Sequence, residues 1–208
     1  VFVLPLESKN KTNLTVLDGF IKQRQYYVEL KERQLELLKA SVKNTHDEGK
    51  RLKLYNEIYE NYNSFVYDSA MNYVNKGLQL ALAVNNKHYI TLNQLHKALL
   101  LGTRGFYYEA ISSISDINVE ELAPQLRFEY YFTLYRVYAL WGEYCADSDY
   151  APQYEAQKIK YIEDALAVVQ RGTATYYYIL GEYAHYKERD MERAEKCYLE
   201  ALRRSTPS

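Results

Sequence analysis

Tyr55, Tyr59 and Tyr62 stand four and then three residues apart, and Tyr131, Tyr135 and Tyr138 repeat that spacing. Tyr176 and Tyr183 keep the seven-residue separation, with Leu180 between them. At a helical period each set falls on one face. The chemistry such a stripe offers is recognition: rigid rings with little rotamer entropy to lose, each carrying a phenolic hydroxyl that donates or accepts. The eight rings are therefore candidates for the floor of a groove that takes an extended or helical peptide. The plain alternative is that they are packing residues whose hydroxyls reach the edge of a helix pair, and one face can do both. With 24 tyrosines against 6 phenylalanines and one tryptophan, the chain favours rings with a polar tip.

Bond-making chemistry finds no such support. His46, His88, His96 and His185 are not spaced as metal ligands, and Lys87 and Lys97 flank the middle pair, which disfavours a cation there. Asp147-Ser-Asp149 resembles a fragment of a calcium loop, yet lacks the glycine and the closing glutamate, and reads as turn and cap residues. There is no GxSxG and no phosphate loop, and Cys145 and Cys197 are too far apart in sequence for a metal cluster. Both cysteines read as small core residues, although one long-range disulfide would also fit. Acidic residues lie among basic neighbours, as in Lys31-Glu32-Arg33 and Lys187-Glu188-Arg189, which is the pattern of solvated helix faces. We expect no catalysis, no cofactor and no metal.

Charge narrows the partners further. A formal net charge of −1 and a pI of about 6.5 give no field that draws the fragment to nucleic acid or to an anionic membrane. No run approaches the ~20 apolar residues of a membrane span. The segment VFVLPL is expected to be either the trimmed end of a signal-peptide hydrophobic region or an ordinary unstructured start. Residues 1–13 are thus set apart from a helical domain over 14–208. Asn10-Lys-Thr and Asn13-Leu-Thr fit the glycosylation pattern, a triplet that is common by chance.

The elements that must position the tyrosines are all helices. With 8 Gly and 4 Pro in 208 residues, long stretches run without breakers. Residues 14, 21, 28, 35 and 42 are Leu, Ile, Val, Leu and Val, with Leu17 and Leu38 half a repeat away. Arg24 and Lys31 interrupt that second line, so a long first helix packed antiparallel on its neighbour is favoured over a symmetric coiled coil. Asp18 offers an alternative start for it. Further helices are predicted over about 47–63, 67–84, 88–102, 106–115, 125–145, 153–170, 174–187 and 191–204, divided by NNKH, GTRG, SDINVEELAP, CADSDYAPQY and Gly172-Thr173. The fold class is all-α, with about nine helices and no strand.

A second stripe sets their arrangement. Ala70, Val74 and Gly77 share a face, as do Ala110, Ile114 and Ile117, and Ala194, Tyr198 and Ala201. Bulky apolar groups would stand there if each helix lay on an ordinary core, whereas small residues let a neighbouring helix come close. Ala70 and Ala110 are 40 residues apart and Ala110 and Ala194 are 84 apart, about twice that with the pair 125–145 and 153–170 between them, which is the period of stacked helical hairpins.

On these residues the chain resembles the tetratricopeptide-repeat family, whose pattern puts a small residue in the first helix, glycine at the turn and small–large–small in the second. The pair 91–117 matches at Ala98, Gly105, Ala110 and Ile114, the pair 51–84 at Ala70 and Gly77, and the closing pair at Ala194 and Ala201. More narrowly, ENYNSFVYDSAMNYVNKGLQLA, GFYYEAISSI and ADSDYAPQYEAQKIKYIEDAL are similar to the N-terminal part of membrane-anchored transcriptional regulators of gut bacteria. That resemblance implies the periplasmic sensor portion of a larger protein, followed in the parent by a membrane helix and a regulatory C-terminal region. It implies an α-α superhelix whose first helices line a concave surface, and a protein or peptide as partner. A carboxylate clamp of Lys, Arg and Asn, used by one version of this fold, is not expected. The matching turns offer Leu92, Leu95 and Leu99, and Leu52, Tyr55 and Tyr59. The alternative role is structural self-association through the N-terminal helix, giving a homodimer.

Overall fold

The computed structural model describes residues 7–205, with side chains from Thr15 onward. VFVLPL and Pro207 lie outside the described residues, as do the side chains of both glycosylation-type triplets and of Leu14. The described chain is helical throughout: α1 (Glu7–Asn44), α2 (Glu48–Tyr62), α3 (Tyr67–Ala83), α4 (Lys87–Thr103), α5 (Tyr107–Ser112), α6 (Pro124–Tyr144), α7 (Ala151–Val168), α8 (Ala174–Tyr183) and α9 (Met191–Ser205). A short 3₁₀ turn, Val119–Glu121, precedes α6, and a π segment, Ala184–Glu188, carries α8 to its end.

Local chemistry sets most boundaries. The side chains of Asp47, Asn86, Thr173 and Asp190 accept from backbone N–H groups three residues on, at 2.9, 3.2, 3.1 and 2.9 Å, and so open α2, α4, α8 and α9. Pro124 and Pro152 sit in the first turns of α6 and α7, where the missing N–H removes nothing. Gly105 and Gly172, at φ +85° and +80°, make the turns after α4 and α7 in a conformation a side chain would strain.

Three cores show how the helices stack. Tyr59 of α2, Ala70 and Val74 of α3 and Leu100 of α4 form one. Leu95 and Ala98 of α4, Ala110 and Ile114 near α5, and Leu134 and Val137 of α6 form the next. Tyr135 of α6, Ile162 and Ala165 of α7 and Ile179 of α8 form the third. Each core joins a hairpin to the first helix of the following one, which is how a helical solenoid buries apolar surface that no single hairpin could cover. The molecule is an all-α stack of the tetratricopeptide type.

The small residues lie at the crossings. Ala70, Ala98 and Ala110 have no exposed surface, and Ala194 and Ala201 are buried. A Cβ on Gly77 would come within 2.5 Å of Asn93 Oδ1 of α4, so that glycine is where the next helix crosses. Gly105 differs from these: a Cβ there meets nothing, and its role is the turn. Gly181 is the corresponding close approach in the last hairpin, where a Cβ would lie 2.5 Å from the Tyr198 ring.

The first helix departs most from expectation. It is helical from Glu7, with Asp18 inside it, and it packs on α2 only through its last turns, where Leu35 is buried and Leu38 and Val42 are half-buried. At a fixed rise per residue, a partner of 15 residues covers fewer than half of a helix of 38. The rest overhangs, leaving Leu17, Phe20, Ile21 and Leu30 more than half exposed. Cys145 and Cys197 are both free thiols, the first half-buried and the second buried.

Candidate functional site

The inner face of the stack is built by α2, α4 and α6, the first helices of successive hairpins. A cleft of about 290 Å³ crosses all three. From α2 it receives Asn56, Tyr59, Glu60 and Asn63, spaced i, i+3, i+4, i+7. From α4 come His88, Leu92, His96 and Leu99, and from α6 come Gln125, Glu129, Phe132 and Thr133, each set again on one helical face. No lysine or arginine among the described residues lines it, and Lys87 and Lys97, which flank the histidines in sequence, are not part of its wall.

Tyr59 and His96 form the back wall, their rings stacked with centroids 4.0 Å apart. Burial lowers the His96 imidazole to a pKa of about 3, so it is neutral at physiological pH, and its Nδ1 is buried without a partner. Burial likewise raises the Tyr59 phenol, assisted by the nearby Glu129 and Glu60 carboxylates. The Glu129 carboxyl is held above the usual carboxylate range, first by burial and then by the like charge of Glu60. It makes no hydrogen bond or ion pair with any described residue. Asn56 donates from Nδ2 to Glu60 Oε1 at 2.8 Å, and its own Oδ1 is buried and unpaired.

Glu129 also borders an apolar cleft of about 690 Å³ between α6, α8 and α9, walled by Phe128, Phe132, Tyr178 and Tyr198. Phe128 and Phe132 stack at 5.7 Å. The carboxylate therefore sits midway along the inner face, between a polar cleft and an aromatic one.

The eight tyrosines singled out in the sequence separate. Tyr59 alone of them lines the cleft across α2, α4 and α6. Tyr55 is buried against Tyr73 of α3 at 6.0 Å and accepts from Arg51 Nη2 at 3.3 Å, and Tyr62 stacks on the same Tyr73 at 6.1 Å. Tyr131 lies against Tyr161 of α7 at 6.5 Å. Tyr135 is buried and donates its hydroxyl to Glu182. Tyr138 packs 5.6 Å from Tyr161 and joins Trp141 and Tyr154 around a separate cleft near α5 and α7. Tyr176 is half-buried beside Tyr177 at 5.3 Å, and Tyr183 packs on the third core.

The sequence pattern points to Tyr59, Leu92 and Leu99 and sets His96 aside as a metal ligand, but does not single out Glu129, Asn56 or Asn63. The signal was present one residue along. Asn56, Glu60 and Asn63 each follow a residue of the Tyr55–Tyr59–Tyr62 stripe, and Phe132 follows Tyr131. One residue is about 100° of helical rotation, enough to carry a stripe from the inside of a hairpin to the groove.

Hairpins that each complete a core on the next, with their first helices lining an open inner face, define a tetratricopeptide-repeat domain, the architecture of a protein-interaction scaffold. Residues 21–208 match the family described as the SusR N-terminal TPR domain, and the chain belongs to it. No curated protein and no solved structure matches. Among the described residues no group of His, Cys, Asp and Glu is placed to hold a metal ion, and no helix is long and apolar enough to cross a membrane.

Proposed function

We propose that this domain is the extracytoplasmic sensor or interaction region of a larger regulatory protein and that it works without catalysis, by binding a protein or peptide segment along its inner face. The observation that carries this reading is the cleft shared by α2, α4 and α6, where buried polar atoms of Asn56 and His96 have no partner among the described residues. Buried polar groups are ordinarily paired, so an orphaned set inside a groove marks where another molecule completes it. The family description, an N-terminal repeat domain, supports the view that an output region belongs to the parent.

A photo-cross-linking residue at Gln125, on the inner face, tests this against one at Gln79, exposed on α3. Adducts formed in cells only from Gln125 are the expected outcome; equal adducts from both positions, or from Gln79 alone, overturn it. For the compartment, fusion of the parent protein to alkaline phosphatase after this domain should give active phosphatase, and an inactive fusion places the domain in the cytoplasm.

A second reading has its own observation. The overhanging part of α1 exposes Leu17, Phe20, Ile21 and Val28 on one helical face, an apolar surface that a second copy would cover in a homodimer. Light scattering on the whole chain should then give a stable oligomer that becomes monomeric when residues 1–34 are removed. A monomer at all concentrations ends this reading and leaves the groove intact.

A further inference from the structure

We propose that Glu129, assisted by Glu60, is the anchor for a cationic side chain, lysine or arginine, of the segment that binds the inner face, with the aliphatic stem of that side chain lying on Phe128 and Phe132. This deepens the groove reading and rests on it.

The complementarity is visible in what the cleft lacks. Glu129 is a half-buried carboxylate without a donor, Glu60 adds a second carboxylate within electrostatic reach, and Asn56 Oδ1 is a third acceptor left unpaired in the same cleft. No lysine or arginine of the described chain answers them. Desolvating an acidic group without a partner is unfavourable, so Glu129 adds no stability to the free chain. A guanidinium or ammonium entering from a partner would supply both the charge and several N–H donors at once.

The walls fit the same guest. A long basic side chain has an apolar stem and a charged head. Phe132 borders both the polar and the aromatic cleft, and Phe128 stacks beside it, so a stem crossing from the aromatic side delivers its head to Glu129. Aromatic faces also attract the cation itself. The other titratable groups around Glu129 do not compete: His96 of α4 is neutral, and the Tyr59 phenol of α2 is held protonated. His88 of α4 stands at the cleft's rim.

The test uses the full chain and three probes: N-acetyl-arginine amide, its neutral isostere N-acetyl-citrulline amide, and the blocked peptide Ala-Ala-Arg-Ala-Ala. Binding is read from amide NMR shifts along 125–133. The arginine amide should shift these signals, the citrulline amide should bind at least about tenfold more weakly, and the peptide should bind more tightly than the amide. Glu129→Gln should lose the preference for arginine over citrulline while melting no lower than the native chain, which separates lost recognition from lost folding. Equal binding of the two amides, or an undiminished preference in Glu129→Gln, overturns the proposal. An arginine amide that binds as well as the peptide overturns the assignment to a partner segment in favour of a free cation. The cross-link at Gln125 does not depend on charge, so adducts there without arginine preference would retain the groove and reject its cationic guest.

Discussion

Glu182 and Glu129 are carboxylates at two places in this stack, one buried and one half-buried, and they are treated in opposite ways. Glu182, in α8, is buried and accepts from the hydroxyls of Tyr135 in α6 and Tyr198 in α9, the second at 2.7 Å. Glu129, in α6, is half-buried on the inner face and accepts from no described residue. The first ties three helices of the C-terminal hairpins together and leaves nothing over for a ligand. The second makes no polar tie between helices among the described residues. A satisfied buried network specifies a fold, whereas an unsatisfied one in a groove is a place kept for something else.

The difference can be broken from the Glu182 side with the largest effect. Tyr135→Phe together with Tyr198→Phe removes both donors and puts Glu182 in the position of Glu129. Denaturant unfolding at neutral pH should show a loss of about 3–5 kcal/mol, since hydrogen bonds to a charged group contribute about 1.5–3 kcal/mol each. A loss below about 1 kcal/mol would mean that the network is only a packing contact.

Gly181→Ala approaches the same network sterically. Its Cβ would meet the Tyr198 ring at 2.5 Å and push that hydroxyl from Glu182, so a loss of about 1–3 kcal/mol is expected. Ala70→Leu is the matched overpacking in the other half of the stack, with a loss in the same range of about 1–3 kcal/mol. Hydrogen exchange should locate the first loss in α8 and α9 and the second in α2 to α4. An unchanged denaturation midpoint for Ala70→Leu would remove the assigned helix crossing at that alanine.

From the Glu129 side the sign reverses. Glu129→Gln should stabilise the free domain at neutral pH by about 0.5–2 kcal/mol, because it removes an unpaired charge from a half-buried site. The raised carboxyl means that the folded chain holds a proton the unfolded chain has released, so native stability falls as pH rises from the ordinary glutamate range through the higher value in the fold. That slope should be absent from Glu129→Gln. His96 gives the opposite slope. Its folded pKa of about 3 lies below that of an unfolded histidine, so stability is lost as pH falls through the interval between them. The smallest effect is spectroscopic: the His96 ring signals should stay in place from alkaline to mildly acidic pH.

Much of the stack was legible without coordinates because it is written in local and periodic terms. Ala70, Ala110 and Ala194 recur at hairpin spacing and are buried where helices cross. Asp190, four residues before Ala194, is the kind of residue that caps a helix and does cap α9. The groove was less legible. The tyrosine stripe identifies the right helices, yet a stripe's phase has no meaning until the neighbours on either side are placed. Tyr55 and Asn56 differ by one position, and only the packing of Tyr55 on Tyr73 of α3 turns Asn56 toward the cleft.

Composition, breakers and small-residue periodicity by themselves determined that the chain is all helix, that its helices pair, and that the pairs stack. Those features act over a few turns of one helix, where geometry follows from residue spacing. Three things were decided only by tertiary structure: the meeting of Tyr135 with Glu182 from 47 residues away, the overhang of α1 beyond a shorter partner, and the isolation of Glu129. Each depends on which surfaces of distant segments face one another. A carboxylate is costly or harmless according to the donors that reach it, and a sequence does not carry that distance.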